Sequence, residues 1–202
     1  MILSIHKDNP QPRLIAQVRE TLEDGGIIIY PTDTVYAYGC DIKQKHAIEK
    51  IYRLKKIDKK KPLSFVFTDI SGISEYARNI SKDAFKIMKR TLPGPYTFIF
   101  NAAKTVPDIV FTKQKTVGVR IPDNNVALAV ASALGRPLLS ASVNNAEGEY
   151  VIRPDDLEKV YKNTVDIIID AGPLVSEPST VVDFSGAVPE IIRRGKGDIF
   201  FM

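Results

Sequence analysis

Cysteine, histidine and tryptophan are almost missing from this sequence: one Cys, two His and no Trp in 202 residues. A single cysteine, Cys40, excludes an intrachain disulfide framework and a cysteine-based zinc site, and it points to a reducing, cytoplasmic setting. His6 and His46 stand far apart, so no paired-histidine metal motif can form, and a transition metal would have to rely on carboxylates. Long apolar runs are also lacking. The stretch Gly26-Ile27-Ile28-Ile29-Tyr30 falls far short of the ~20 residues of a membrane-spanning helix. Residues 1–7 have no basic segment leading into an apolar one, so neither a signal peptide nor a membrane segment is expected. Neither sign of charge dominates: 28 Lys+Arg against 24 Asp+Glu give a net charge of +4 and a pI near 9.0. With 44% hydrophobic and 26% charged residues, the disordered and low-complexity classes are excluded. The length fits one domain over residues 1–202, with no linker and no internal repeat.

What is present is an alternation of helical and strand periods, which predicts an α/β fold with a largely shared sheet. Leu14, Ile15, Val18 and Leu22 make an apolar helical stripe that opens after Pro10-Gln11-Pro12 and stops at Gly25-Gly26. Ile27 to Tyr30 follows at once, β-branched and unalternating, as in a strand buried on both faces. A helix is expected over residues 44–56, with Ala47, Ile48, Ile51 and Tyr52 inward. Ser81 suits the N-cap of a helix that turns Phe85, Met88 and Leu92 inward and ends at Pro93-Gly94-Pro95. Further strands are expected over residues 63–67, 96–100, 116–120, 137–142, 165–169, 179–184 and 190–193, and an Ala-rich helix over residues 124–134, ended by Gly135.

Several polar clusters sit at or just after the ends of these strands, where open α/β sheets place ligand sites. They are Pro31-Thr32-Asp33-Thr34, Arg120, Ser140 through Asn144, Ser179-Thr180 and Arg193-Arg194-Gly195. Taken singly, each also reads as an ordinary turn or a solvated strand tip. Louder is the run Lys55, Lys56, Lys59, Lys60 and Lys61, which reads equally as an anion-binding lip for phosphates or as a solvated basic loop. Cys40 reads as a small buried residue, because no His lies near it in sequence. Tyr36 and Tyr38 suit either stacking on an adenine or packing at a rim.

Taken together, these segments resemble the YrdC/YciO family, whose best-known members are threonylcarbamoyl-AMP synthases that begin the t6A modification of tRNA. The match runs through Gly25-Gly26-Ile27-Ile28-Ile29-Tyr30-Pro31-Thr32-Asp33-Thr34-Val35-Tyr36-Ala37-Tyr38-Gly39-Cys40, Ile51-Tyr52-Arg53-Leu54-Lys55, Pro62-Leu63 and Pro93-Gly94-Pro95-Tyr96-Thr97. It continues through Thr116-Val117-Gly118-Val119-Arg120-Ile121-Pro122, Ser142-Val143-Asn144, Pro178-Ser179-Thr180-Val181-Val182-Asp183 and Ile192-Arg193-Arg194-Gly195. The resemblance implies a twisted, mostly open sheet flanked by helices, with a basic concave cleft and without the extra C-terminal domain of some members. It also implies a nucleotidyltransferase-type reaction in which L-threonine, bicarbonate and ATP give threonylcarbamoyl-AMP and pyrophosphate. By position, Thr34, Arg120, Ser142 and Ser179 would hold the threonine, and Lys61, Thr116, Asn144 and Arg193 would lie along the ATP. Lys55 would be the catalytic cation near the triphosphate and carbamate. Mg²⁺ would arrive with ATP, since no carboxylate cluster offers a site of its own.

The sequence departs from the family pattern in two places. The signature Arg falls on Ile57 and the following Pro on Asp58, and an aliphatic side chain cannot replace a delocalised cation at a phosphate. The loop after Asn144 reads Asn145-Ala146-Glu147-Gly148-Glu149-Tyr150, with two acids where phosphates would pass. These departures and the opening residues 5–15 resemble the YciO branch. Three readings stay open: a synthase, a hydrolase of the same adenylate, and a protein that binds double-stranded RNA, tRNA or rRNA through Lys55, Lys56, Lys59, Lys60 and Lys61.

Overall fold

The computed structural model describes residues 1–57, 63–110 and 115–200. Its strands are β1 (Ile2–Ser4), β2 (Ile28–Tyr30), β3 (Ala37–Asp41), β4 (Ser64–Val66), β5 (Ala77–Arg78), β6 (Tyr96–Ala102), β7 (Thr116–Arg120), β8 (Leu138–Ser142), β9 (Ile167–Asp170), β10 (Thr180–Asp183) and β11 (Glu190–Arg193). The helices are α1 (Pro12–Glu23), α2 (Lys45–Lys55), α3 (Ile73–Tyr76), α4 (Lys82–Thr91), α5 (Asn125–Leu134) and α6 (Pro154–Tyr161). All described strands join one sheet in the order β1-β9-β2-β3-β8-β4-β7-β6-β10-β11, with β5 on the side of β6. Pairing is mixed: β4–β7 and β6–β10 are parallel, whereas β3–β8, β4–β8, β6–β7 and β10–β11 are antiparallel.

The α/β alternation read from the sequence is the architecture found. Helix ends form where the capping chemistry places them. Ser81 accepts the Ala84 amide at 3.1 Å, and Asn124 accepts that of Ala127 at 3.0 Å. Gly135 closes α5 in the left-handed conformation, φ 67°, which costs a glycine no Cβ strain. Two layers pack on the sheet. On one face α1 and α5 cover Ile28, Tyr30, Ala37, Val66 and Leu138. On the other, α2, α4 and α6 enclose the larger core around Phe65, Phe98, Phe100, Val119 and Leu139.

Phe85 is a correction. It is 45% exposed, and the inward face of α4 is Ala84, Met88 and Thr91 instead. Positions spaced four and seven apart share a helix face, and Phe85 lies one step, about 100°, round from it. The strand expected over 165–169 begins at Ile167, because Asp166 turns its carboxylate back to accept the Ile27 amide at 2.7 Å.

Candidate functional site

Strands β4, β6 and β7 carry their largest side chains on one face. Phe65, Val117, Val119, Phe98, Phe100 and Leu139 point into the larger core. By the two-residue period of a strand, the opposite face receives Ser64, Gly118, Arg120, Thr97, Ile99, Ser140 and Ser142. Register lines these up: Ser64 lies opposite both Gly118 and Ser140, and Ile99 lies opposite Gly118. The result is a floor too shallow to fill the space above it, a cavity of about 240 Å³. Gly118 is at the centre, where an added Cβ would come within 3.2 Å of Ser64 Oγ and 3.4 Å of Thr97 Cγ2. The site lies over the face of the sheet, and the expected strand-end residues reach it: Arg120, Ser142 and Arg193 are the last residues of β7, β8 and β11, and Thr34 lies in the loop after β2. In a mixed sheet the C-terminal ends of neighbouring strands point opposite ways, so these residues enter from different edges.

Around this floor the polar side chains form four bonded groups. In the loop after β2, the Thr32 hydroxyl accepts the amides of Thr34 and Val35 at 3.1 and 3.2 Å. This turn sets Asp33 and Thr34 against Arg120, whose Nη2 donates to Asp33 Oδ1 at 2.5 Å and to Thr34 Oγ1 at 2.9 Å. Tyr30 donates its hydroxyl to Ser140 Oγ at 2.7 Å, and burial pushes the phenol up to about 12. Ser179 Oγ shares a 2.9 Å hydrogen bond with Thr97 Oγ1 and accepts from Arg193 Nη2 at 3.0 Å. Lys55, in the last turn of α2, donates to the Ser142 carbonyl and to Asn144 Oδ1 at 3.1 Å. Arg193 keeps one side open to solvent, yet desolvation by the surrounding protein pulls its guanidinium below its ordinary value, and nearby Arg120 pushes the same way against Tyr150.

Six of the candidate residues line this one cavity: Lys55, Thr34, Arg120, Ser142, Ser179 and Arg193. Asn144 touches it through Lys55. Thr116 is buried on the same strand face as Gly118 and Arg120 but is not among the lining residues. Lys56 is exposed at the end of α2, and Lys59, Lys60 and Lys61 lie outside the described residues. The basic run thus divides, with Lys55 turned into the cavity and Lys56 outward.

Tyr36 and Tyr38 are not placed to stack on a base. Both are buried, Tyr36 donating to the Gly172 carbonyl at 2.7 Å and Tyr38 meeting Tyr161 edge to face at 5.7 Å. Cys40 is buried, and desolvation raises its thiol far from the reactive range. Ile57 lines the cavity wall, so the departure from the family pattern falls at the site itself. The single-residue reading of the sequence missed Ser64, Thr97, Ile99 and Gly118. Their signal was the alternation of large and small residues in Tyr96-Thr97-Phe98-Ile99-Phe100 and Thr116-Val117-Gly118-Val119-Arg120. A larger depression of about 500 Å³, beside Lys43, Tyr76 and Arg136, collects none of the candidates.

The comparisons with known proteins agree with this fold. A family model for Sua5, YciO and YrdC proteins, described as "Telomere recombination", matches residues 20–195. The chain belongs to this family. YciO of Escherichia coli (strain K12) is 40% identical over 197 residues, spanning 96% of this chain and 95% of that protein. Its crystal structure superposes with a TM-score of 0.95 at 38% identity, covering 100% of this chain and 98% of that one. A Methanocaldococcus jannaschii protein named "Putative threonylcarbamoyl-AMP synthase" is 30% identical over 197 residues, 96% of this chain and 92% of its own. The crystal structure of P. abyssi Sua5 complexed with L-threonine shares the fold, with a TM-score of 0.90 at 24% identity over 96% of this chain and 57% of that chain. No helix among the described residues is long and apolar enough to cross a membrane.

Proposed function

We propose that the cavity binds L-threonine and ATP and that the protein is a threonylcarbamoyl-AMP synthase whose product serves t6A modification of tRNA. One observation carries this reading: candidate side chains from six separate stretches of sequence converge on a single basic cavity that no acidic residue lines among those described. The threonine-bound P. abyssi structure, which has the same fold, and the name of the M. jannaschii relative support it. In the reaction, the threonine nitrogen attacks carbon dioxide from bicarbonate, and a proton leaves to give a carbamate. A carbamate oxygen then attacks the α-phosphorus of ATP, and the bond to pyrophosphate breaks.

No covalent enzyme nucleophile is needed. The protein's part is to place the reactants and offset developing charge. Arg120, Thr34, Ser142 and Ser179 would hold the amino acid, while Lys55 and Arg193 would face the phosphates. Lys61, Thr116 and Asn144 would lie further along the nucleotide. The described lining offers hydroxyls and cations but no carboxylate, a donor set that fits Mg²⁺ carried on the nucleotide's phosphates. A reducing, cytoplasmic setting suits the single buried Cys40.

Ile57 favours a second form of the same reading, in which the adenylate is bound and hydrolysed more readily than it is made. Replacing a cation by an alkyl group at a site of developing negative charge costs on the order of 10²–10³ in rate. The test is purified protein with ATP, L-threonine and bicarbonate, following threonylcarbamoyl-AMP and pyrophosphate, and separately the breakdown of supplied threonylcarbamoyl-AMP. Slow synthesis is expected in the wild type, with at least a tenfold gain in Ile57→Arg. Neither synthesis nor breakdown above background, together with no threonine binding, would overturn both forms.

A further inference from the structure

The charges around the cavity are not distributed evenly. Lys55, Arg120 and Arg193 are its lining cations. Arg193 donates to the hydroxyl and carbonyl of Ser179 and meets no carboxylate among the described residues. Arg120 is the exception, because its Nη2 is spent on Asp33 and Thr34, and the Arg120 and Asp33 side chains are only 9% and 6% exposed. Asp33 is itself held from behind by Lys196, which donates to its backbone carbonyl at 2.7 Å. Yet Asp33 Oδ2 and Arg120 Nε are both buried without a hydrogen-bond partner among the described residues. A half-bonded buried ion pair is a poor stabilising device, since replacing both partners by apolar groups is commonly neutral or better. Packing therefore gives no reason for a carboxylate here. Its effect on what the cavity accepts does.

We propose that Asp33 is the specificity-determining residue of the amino-acid end of the cavity, cancelling the charge of Arg120 so that this end takes a zwitterion in preference to a simple carboxylate. The inference rests on the reading that the cavity binds an amino acid. An unpaired arginine accepts any carboxylate. With Asp33 on its Nη2 edge, Arg120 keeps Nη1 for the ligand's carboxylate, while the carboxylate one guanidinium away favours an ammonium and opposes a second net negative charge. Arg193, which has no such partner, retains its charge for phosphates. The two arginines of the cavity thus differ in charge, Arg120 compensated for the amino acid and Arg193 uncompensated for the nucleotide.

The experiment is calorimetric titration of the full chain and of Asp33→Asn with two ligands, L-threonine and its 2-hydroxy analogue, in which a hydroxyl replaces the ammonium. The wild type is expected to prefer threonine by about tenfold or more, and the variant to lose that preference or invert it. ATP affinity should change by less than the ratio of the two ligands does, because the phosphates face Lys55 and Arg193 and not Arg120. The ratio of the two ligands is the readout, because a merely structural role of Asp33 would weaken both alike. If the amide is not accommodated, Asp33→Ser removes the charge with a smaller side chain and is read in the same way. Threonine binding without discrimination in the wild type, or an unchanged preference in a folded variant, overturns this proposal alone. Absence of threonine binding by the wild type overturns it together with the function proposed above.

Discussion

Two buried carboxylates of this protein each face an arginine, and the two pairs are built to different ends. Asp41, whose side chain is 1% exposed, is gripped by Arg136 through both of its oxygens, with Nε donating to Oδ1 at 2.8 Å and Nη2 to Oδ2, while the Lys43 amide adds a bond of 2.9 Å. Every lone pair that matters there is met, and the hydrogen bond to Asp41 raises Arg136 further above its already high ordinary value. Asp33 and Arg120 leave one oxygen and one nitrogen unmet beside a cavity. The first pair is therefore expected to govern stability and the second to govern binding. Arg136→Met should cost about 3–5 kcal/mol in urea unfolding, because it strands a buried charge. Asp41→Leu combined with Arg136→Met should recover most of that loss, and threonine binding by the double variant should match the wild type. A single variant as stable as the wild type would show that Asp41 finds water or another partner. Neither pairing could be foreseen from sequence, since Asp41 and Arg136 are 95 positions apart, as are Asp33 and Arg120 by 87.

At the scale of elements, the legible parts were those whose local chemistry and packing agree. The stripe Ile15, Val18, Leu22 of α1, the caps of α4 and α5, and the apolar strand β2 all appeared where periodicity and capping placed them. The strand β3 was not recognised, although it is central and wholly buried, because Ala37-Tyr38-Gly39-Cys40-Asp41 holds residues of low strand propensity and is fixed by its neighbours β2 and β8. The short helix α6 buries Leu157 and Tyr161 behind Pro154 of its first turn, two apolar side chains besides the proline and too few for a clear periodic signal. Of the site, the individual polar residues could be read, but the empty space between them could not, because it arises from the alternation of β6, β7 and β8 seen together. Gly118 is the sharpest consequence. Its backbone φ is ordinary and its opposite face is core, so Gly118→Leu should fold with a thermal midpoint within a few degrees of the wild type. Its side chain would stand in the cavity against Ser64 and Thr97. Calorimetry should show threonine binding lost, and wild-type affinity in this variant would remove the ligand from the floor of the sheet.

Across the whole molecule, the sheet joins segments far apart in sequence: Ile2 pairs with Ile168, and Thr180 with Tyr96. Alternation along the sequence reveals which elements exist, whereas their order in the sheet depends on contacts between segments far apart, which no local pattern encodes. The same closure buries tyrosines in several places at once. Tyr30 on β2, Tyr36 against Gly172 and Tyr52 on α2 are each pushed up to about 12 by desolvation. For a phenol, a raised value means that the folded state holds its proton over a pH range in which the unfolded chain, titrating near 10, has lost it. Folding stability from these groups is therefore complete below pH 10 and declines as pH rises from about 10 through 12. The urea midpoint should fall steeply over that window, and phenolate absorbance should appear together with loss of the sheet signal, cooperatively. Tyr30→Phe should make the fall shallower by removing one of the three groups. Phenolate formed by all eight tyrosines near pH 10, with the sheet intact, would mean that these side chains reach water without unfolding, and the closed packing of the two faces would have to be given up.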